Sequence, residues 1–193
     1  MPMLTVEKLN KIVEKFDIDS DEYPICVETG TYMGDTVRNM QPYFREFHTI
    51  EISMELYNHF LATHPPYGNV KAHYGDSIDK IPELLKSFNE EDKCVFWLDG
   101  HFSNGCTSKG EKDVPLLEEC KAIDELYKPD AGLILIDDLR LFGTTHAEDW
   151  EDITIENVID CFTNFDVQQF SLDSLEEDCL CLYITRKEVE FTQ

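Results

Sequence analysis

Basic residues are scarce in this 193-residue sequence, where 16 Lys and Arg stand against 40 Asp and Glu and the net charge is −24. A surface with that excess of negative charge repels the phosphates of nucleic acids and of anionic lipids. We therefore expect no nucleic acid and no membrane among the partners. The alternative is that the negative charge only keeps the protein soluble.

Long apolar runs and paired cysteine motifs are also missing. No run approaches the ~20 residues that a membrane helix needs, and residues 1–8 lack the basic and apolar regions of a signal peptide. The seven cysteines are odd in number and include no Cys-x-x-Cys pair, so neither a disulfide framework nor a zinc cluster is indicated. We expect a cytoplasmic protein whose cysteines are mostly buried free thiols.

Repeats, low-complexity tracts and dividing linkers are absent, so we treat residues 1–193 as one domain with an N-terminal helical segment, 1–20. Hydrophobic periodicity predicts strands at 25–28, 46–52, 69–74, 94–98, 132–136, 165–171 and 179–185. It predicts helices at 5–16, 36–43, 53–63, 77–88, 114–127 and 153–163, with caps at Thr5, Ser53 and Ser77. Five βα units and a C-terminal β-hairpin predict an α/β fold with a doubly wound, mostly parallel sheet.

Acidic residues end each of the first five predicted strands, and two or three of them are expected by chance in so acidic a chain. Ligands of such sheets bind at the carboxyl ends of the strands, where these side chains would share one crevice. They are Glu28, Glu51, Asp76, Asp99 and the pair Asp137-Asp138.

The turn after the first strand lacks the Gly-x-Gly-x-x-Gly pattern of dinucleotide sites and reads Glu28-x-Gly30-x-x-x-Gly34-x-Thr36. Its acids, Glu28 and Asp35, would repel a pyrophosphate but attract the ammonium and sulfonium of a methyl donor. We therefore predict that this turn binds S-adenosylmethionine (SAM). Its predicted cofactor-binding residues are Glu28, Thr29, Gly30, Thr31, Tyr32, Gly34, Asp35 and Thr36.

The next two strand ends can hold the rest of a nucleoside. Glu51 lies about 20 residues beyond the turn, where a carboxylate accepts both ribose hydroxyls. Asp76 can face the adenine amino group and the Ser77 N–H a ring nitrogen. Both acids can instead serve only as helix caps. Ile52, Asp99 and Gly100 complete the predicted cofactor contacts.

Four motifs together resemble class I SAM-dependent methyltransferases over about residues 22–186: Val27-Glu28-Thr29-Gly30-Thr31, Thr49-Ile50-Glu51, Gly75-Asp76-Ser77 and Ile134-Leu135-Ile136-Asp137-Asp138. The resemblance implies a seven-stranded, Rossmann-like sheet with a reversed last strand. The turn departs from the family pattern because it lacks the central glycine cluster.

A narrower resemblance rests on Phe96-Trp97-Leu98-Asp99-Gly100-His101-Phe102-Ser103, Gly105-x-Thr107 and Pro115-Leu116-Leu117-x-Glu119. These segments are similar to methyltransferase domains of glycan-modifying proteins in bacteria and large DNA viruses. Asp99 with Asp137-Asp138 resembles the Mg²⁺ site of macrocin-type sugar O-methyltransferases, although Gly100-His101 replaces part of that motif. The resemblance implies a sugar or glycan acceptor, and a chain that is part of a larger glycan-modifying protein or a homo-oligomer.

Chemistry supports the metal independently, because three carboxylates form a hard oxygen site suited to Mg²⁺ and would otherwise repel one another. The alternative is that Asp137 merely caps a loop. Catalysis is assigned to Asp99 and to His101, a general base whose ordinary pKa of ~6.5 suits neutral pH. His101 could instead stack on the adenine, and His146, in the lid-like segment 141–150, is the second candidate base.

The expected function is therefore Mg²⁺-assisted O-methylation of a sugar hydroxyl. Three alternatives remain at this stage. One is methylation of a small, catechol-like hydroxyl, another is an NAD-dependent oxidoreductase, and the third is a domain that keeps the fold only for binding.

Overall fold

Near-continuous apolar strands form the centre of the protein. The computed structural model describes residues 3–100, 114–145, 148–174 and 177–188. Its strands are β1 (Ile25–Thr29), β2 (Glu46–Glu51), β3 (Val70–Tyr74), β4 (Cys94–Leu98), β5 (Ala131–Asp137), β6 (Phe165–Ser174) and β7 (Glu177–Arg186). Every residue of β1, β4 and β5 is buried, as expected for strands covered on both faces.

The seven strands form one sheet in the order β3-β2-β1-β4-β5-β7-β6. The first five strands run parallel, whereas β7 pairs antiparallel with both β5 and β6. The predicted α/β fold, with its doubly wound sheet and C-terminal hairpin, is confirmed. The order reverses direction between β1 and β4, and in open sheets that switch point is where ligands bind.

Helices cover both faces of the sheet. They are α1 (Val6–Phe16), α2 (Asp35–Met40), α3 (Met54–Thr63), α4 (Ser77–Ser87), α5 (Leu116–Leu126) and α6 (Ile155–Asp160). Thr5 and Ser53 cap α1 and α3 through their hydroxyls, as the sequence predicts.

Several helix boundaries differ from the sequence prediction: α5 begins at Leu116 rather than at 114, α6 spans Ile155–Asp160 rather than 153–163, and two further differences have a clear physical cause. The helix predicted over 36–43 is α-helical only to Met40 and continues as the 3-10 turn Gln41–Tyr43, because Pro42 cannot donate an α-helical hydrogen bond. The cap of α4 is Asp76 rather than Ser77. The Asp76 carboxylate accepts from the Ile78 N–H at 3.1 Å.

Alternation along β4 divides the core into two layers. Phe96 packs into the layer that contains Ile81 of α4 and Ile123 of α5. Trp97 packs into the opposite layer, with Ile12 of α1 and Met40 of α2. Burial of these apolar surfaces is the main force that holds the helices to the sheet.

The six cysteines in the described part of the chain are all buried and unbridged, as expected. Cys179 and Cys181 lie on one face of β7 with their sulfur atoms 3.9 Å apart. Among the described helices, none is long and apolar enough to cross a membrane.

Candidate active site

The turn after β1 is shaped by close backbone contacts. Gly30 has a φ of +84°, and its N–H and that of Thr31 both donate to the Ile50 carbonyl, at 3.0 and 3.2 Å. A Cβ on Gly30 would lie 2.5 Å from the carbonyl oxygen of Asp99. This position therefore requires glycine, although the turn lacks the central glycine cluster of the methyltransferases that the sequence resembles.

The second glycine of the turn is also fixed by packing. Gly34 precedes α2 with a φ of +73°, and a Cβ there would lie 2.7 Å from the Phe60 ring and 2.8 Å from Nε2 of His64. No contact between His64 and this turn was expected from the sequence. Between the glycines, Tyr32 adopts a φ of +45° and is 37% exposed, so its ring is accessible at the rim.

Glu28 lies beneath the turn and is 1% exposed. The Thr49 hydroxyl donates to its carboxyl group at 2.6 Å, and the Thr31 and Thr49 hydroxyl oxygens are also 2.6 Å apart. Burial raises the pKa of Glu28 to about 8, although hydrogen bonds from Thr49 and Thr36 oppose the shift. Glu28 is thus linked to the turn through a chain of two threonines.

Glu51, at the end of β2, joins that strand to the first turn. Its carboxylate accepts from the Tyr32 N–H at 2.9 Å through Oε2 and from the Ser53 N–H at 2.8 Å through Oε1. Burial raises its pKa despite these two donors. Each carboxylate oxygen has a second lone pair, so hydrogen bonds to a pair of ribose hydroxyls remain chemically possible.

The other predicted acids of the nucleoside site differ in their surroundings. The side chain of Asp35 is 49% exposed and pairs with Arg38 at 2.6 Å on α2, so the structure does not group it with the other carboxylates. Asp76 lies at the carboxyl end of β3, where it caps α4. Ile52 and Gly100 are both partly exposed beside the strand ends.

Three carboxylates meet where β4 and β5 end. One oxygen each from Asp99, Asp137 and Asp138 lies within 4.8 Å of the others. Asp99 is held by its own N–H, which donates to the Thr29 hydroxyl at 3.2 Å and the Thr29 carbonyl at 3.3 Å. The structure therefore brings together the three residues predicted to bind a metal.

Within this cluster, Asp137 is 2% exposed and neither carboxylate oxygen has a hydrogen-bond partner in the part of the chain that the structure describes. Burial, together with the charge of Asp138, raises the pKa of Asp137 to about 7. Burial and the charges of Asp137 and Asp138 also raise the pKa of Asp99. A buried carboxylate with unsatisfied oxygens is costly unless a cation meets it.

Asp138 is held by Arg140. Asp138 adopts a left-handed φ of +60°, and its Oδ1 pairs with the Arg140 guanidinium at 2.5 Å. The same guanidinium pairs with Asp178 of β7, whose Oδ1 also accepts from the Arg140 N–H at 2.9 Å. Asp138 is therefore fixed to the reversed strand of the sheet.

Glu119 of α5 is a buried acid that was given no role from the sequence. It is 1% exposed, its Oε1 has no partner among the described residues, and burial raises its pKa to about 7. With Asp99, Gly100, Asp137 and Trp150 it lines a cavity of about 10 Å³. Its position between Leu116 and Ile123 on the buried stripe of α5 was the available signal.

Lys8 of α1 was also missed. This residue is 3% exposed, and its Nζ lies 5.0 Å from the centroid of the Trp97 ring. Its sequence signal is weak, because a lysine in the first turn of an amphipathic helix is usually solvated.

The two candidate bases, His101 and His146, lie outside the described residues, as do residues 102–113. The segment predicted as a lid is described up to residue 145 and again from 148. Trp150 is buried there, stacks on Phe142 with ring centroids 5.9 Å apart, and donates to Glu148 at 2.8 Å.

No protein-family model matches the chain, and no curated protein is significantly similar to it. Several solved structures share its fold. The SAM complex of the O-methyltransferase TomG from Streptomyces achromogenes, involved in tomaymycin synthesis, superposes with a TM-score of 0.60 at 14% identity. That match covers 95% of this chain and 92% of TomG.

Two further structures are similar over most of their length. The SAH-bound methyltransferase PaMTH1 of Podospora anserina superposes with a TM-score of 0.58 at 17% identity. That match covers 94% of this chain and 78% of the PaMTH1 chain. The N-methyltransferase NodS from Bradyrhizobium japonicum gives 0.56 at 13% identity, with 94% and 93% covered. The chain thus has the fold of SAM-dependent methyltransferases.

Proposed function

We propose that this protein is a SAM-dependent O-methyltransferase that acts, with Mg²⁺, on a hydroxyl group of a sugar or glycan. One observation carries the proposal. The three-carboxylate cluster of Asp99, Asp137 and Asp138 adjoins the turn after β1, because the backbone of Asp99 touches that turn at Gly30. A methyl donor and a metal-bound acceptor could therefore react side by side.

The argument for the methyl donor rests on the acidic side chains around the first turn. Glu51, Asp76 and Asp99 lie at the ends of β2, β3 and β4, and the buried Glu28 lies at the end of β1, whereas a dinucleotide pyrophosphate needs N–H donors and a nearby cation. The ammonium and sulfonium of SAM fit this surrounding, and the Glu51 carboxylate retains lone pairs for the ribose. These features favour a methyl donor over NAD.

The argument for the metal rests on the ligand atoms that the three carboxylates offer. Three carboxylates from two adjacent strand ends suit a hard divalent ion such as Mg²⁺, which takes oxygen ligands and keeps several waters. Asp99, Asp137 and Asp138 would hold it, and the unpartnered oxygens of Asp137 fit that role. When bound, the ion supplies Lewis-acid stabilisation of an acceptor hydroxyl and lowers the pKa of that hydroxyl.

Methyl transfer from a sulfonium is an in-line displacement at carbon, so the protein has to position the two reactants and to remove the proton of the acceptor. The turn and the cluster position donor and acceptor, and this positioning can contribute more to the rate than proton transfer does. His101 follows Asp99-Gly100 directly in the chain, so we assign to it removal of the proton from the acceptor oxygen. Such a base contributes ~10²–10⁴-fold.

A screen of acceptors tests the proposal. The protein is incubated with SAM, Mg²⁺ and panels of free sugars, oligosaccharides and catechols, and methylated products are detected by mass spectrometry. We expect methylated sugars, and no product with Asp137→Ala. Methylation of catechols alone would overturn the acceptor class, and a nicotinamide-dependent oxidation in place of methylation would overturn the proposal.

A further inference from the structure

A buried cation lies next to the carboxylate cluster. Lys8 Nζ is inaccessible to solvent and has no hydrogen-bond partner among the described residues. It lies over the face of Trp97, 5.0 Å from the ring centroid. An ammonium in such surroundings is stable only where negative charge is close.

The negative charge is that of the cluster. Side chains alternate along a strand, so Asp137 of β5 lies on the same face of the sheet as Leu135, which shares a core layer with Trp97. The ammonium over Trp97 therefore lies on the face of the sheet from which the Asp137 carboxylate projects. In agreement, the charge of Lys8 lowers the pKa of both Asp99 and Asp137, although burial outweighs it in each case.

The balance of charges explains what Lys8 contributes. The cluster and its neighbour Asp178 carry four carboxylates, and Arg140 pairs with two of them, Asp138 and Asp178. With Lys8 and Arg140 as the two fixed cations, two negative charges are left over. That remainder matches a single divalent ion.

We propose that Lys8 is a positioning residue that acts as the fixed second cation of the site, so that the carboxylate cluster is balanced by one divalent ion. This inference rests on the metal-binding role proposed for Asp99, Asp137 and Asp138. In this role Lys8 touches neither donor nor acceptor. It acts through the field it exerts on the carboxylates.

The test uses the full chain with Lys8→Met, which keeps the length of the side chain and removes its charge. Lys15→Met is the matched control, because Lys15 lies on the same helix and is exposed. Binding of Mn²⁺, a probe for Mg²⁺, is measured by electron paramagnetic resonance at about pH 8, above the pKa of about 7 of Asp137. Binding of S-adenosylhomocysteine is measured in parallel.

We expect Lys8→Met to bind Mn²⁺ at least about tenfold more tightly, because the ammonium no longer repels the divalent ion across an interior with an effective dielectric constant of about 20. Lys15→Met should match the wild type. Unchanged or weaker Mn²⁺ binding by Lys8→Met would overturn the inference. A variant that loses S-adenosylhomocysteine binding but keeps wild-type Mn²⁺ binding would also overturn it, because Lys8 would then bind the carboxylate of the methyl donor.

The metal-free protein provides a second measurement. Removing Lys8 leaves the carboxylates without their counter-charge, so Lys8→Met should unfold at a lower temperature, and adding Asp137→Asn should restore part of the loss. If Lys8 had only a structural role, adding Asp137→Asn would restore nothing. The comparison still works if Lys8→Met does not fold by itself, because the double variant would then fold only if the charge argument holds. Wild-type protein that binds no Mn²⁺ would overturn the metal proposal itself, whereas wild-type binding with an unaltered Lys8→Met would overturn only the role of Lys8.

Discussion

Gly30 and Asp99 touch through their backbones, with only 2.5 Å between the Asp99 carbonyl oxygen and the place where a Cβ of residue 30 would lie. The contact joins the end of β1 to the end of β4, and so the proposed donor site to the proposed metal site. Any side chain at position 30 must separate the two.

Gly30→Ala should therefore damage both stability and binding. An alanine at positive φ costs roughly 1–2 kcal/mol, and the clash with Asp99 adds roughly 1–3 kcal/mol. Gly143→Ala is the matched control, because Gly143 has a φ of +73° and nothing within 4 Å of the place where its Cβ would lie. Urea unfolding and S-adenosylhomocysteine titration should show a larger loss for Gly30→Ala, and equal losses for the two variants would contradict the close-contact account.

Replacing Glu51 should weaken donor binding. Glu51→Ala removes the acceptor of the Tyr32 and Ser53 N–H groups, so the first turn loses its tie to β2. Loss of hydrogen bonds to a charged group costs about 1.5–3 kcal/mol each. Calorimetry should show S-adenosylhomocysteine affinity reduced by at least about tenfold, whereas Glu55→Ala, an exposed change in the next helix, should leave it unchanged.

Asp137→Ala and Asp138→Ala should each abolish methyl transfer while donor binding largely survives. Activity should fall by more than the ~10–100-fold typical of losing an outer-shell partner of a metal site. Asp166→Ala, an exposed substitution on β6, should retain full activity. Full wild-type activity in excess EDTA would contradict the metal requirement and leave the methyltransferase proposal standing.

Stability should fall as pH rises towards the alkaline range. The pKa values of Glu28 and Glu119 are raised to about 8 and about 7 from an ordinary 4.5, so the folded protein holds these protons more tightly than the unfolded chain. Their contribution is complete below pH 4.5 and is lost as pH rises through the folded values, with a slope of up to about 1.4 kcal/mol per pH unit for each group.

Urea unfolding at several pH values between about 6.5 and 8 measures this slope, above the range in which the lowered pKa values of the buried His48 and the half-buried His73 make stability rise with pH. Glu28→Gln should flatten it, because the amide cannot titrate, whereas the exposed Glu151→Gln should not. A free energy of unfolding that rises across this range in the wild type would show that the two carboxyl groups are ionised when buried.

Much of the fold was predictable from the sequence because it depends on local patterns. The apolar runs of β4 and β5, the caps at Thr5 and Ser53, and the acids at the strand ends are all visible without coordinates. Helix ends were predicted less well. In α2 the pattern continues past Met40, and only the missing N–H of Pro42 changes the hydrogen bonding.

The grouping of side chains in the candidate site was predictable only in part, for a physical reason. Strand ends meet in space by a general rule, so the grouping of Asp99 with Asp137-Asp138 followed from topology. Lys8 and Glu119 lie on helices, and their burial depends on how those helices dock on the sheet, which hydrophobic periodicity does not specify. For Asp35 the sequence suggested a place beside the ligand, but its partner is Arg38, one turn along α2.

The central claim is that the crevice beside Gly30 and Glu51 binds the methyl donor SAM. Calorimetric titration of the protein with S-adenosylhomocysteine, and separately with NAD, tests it most directly. The account predicts saturable one-to-one binding of S-adenosylhomocysteine, weakened by Glu51→Ala, and no heat of binding with NAD. Saturable binding of NAD without binding of S-adenosylhomocysteine would contradict it.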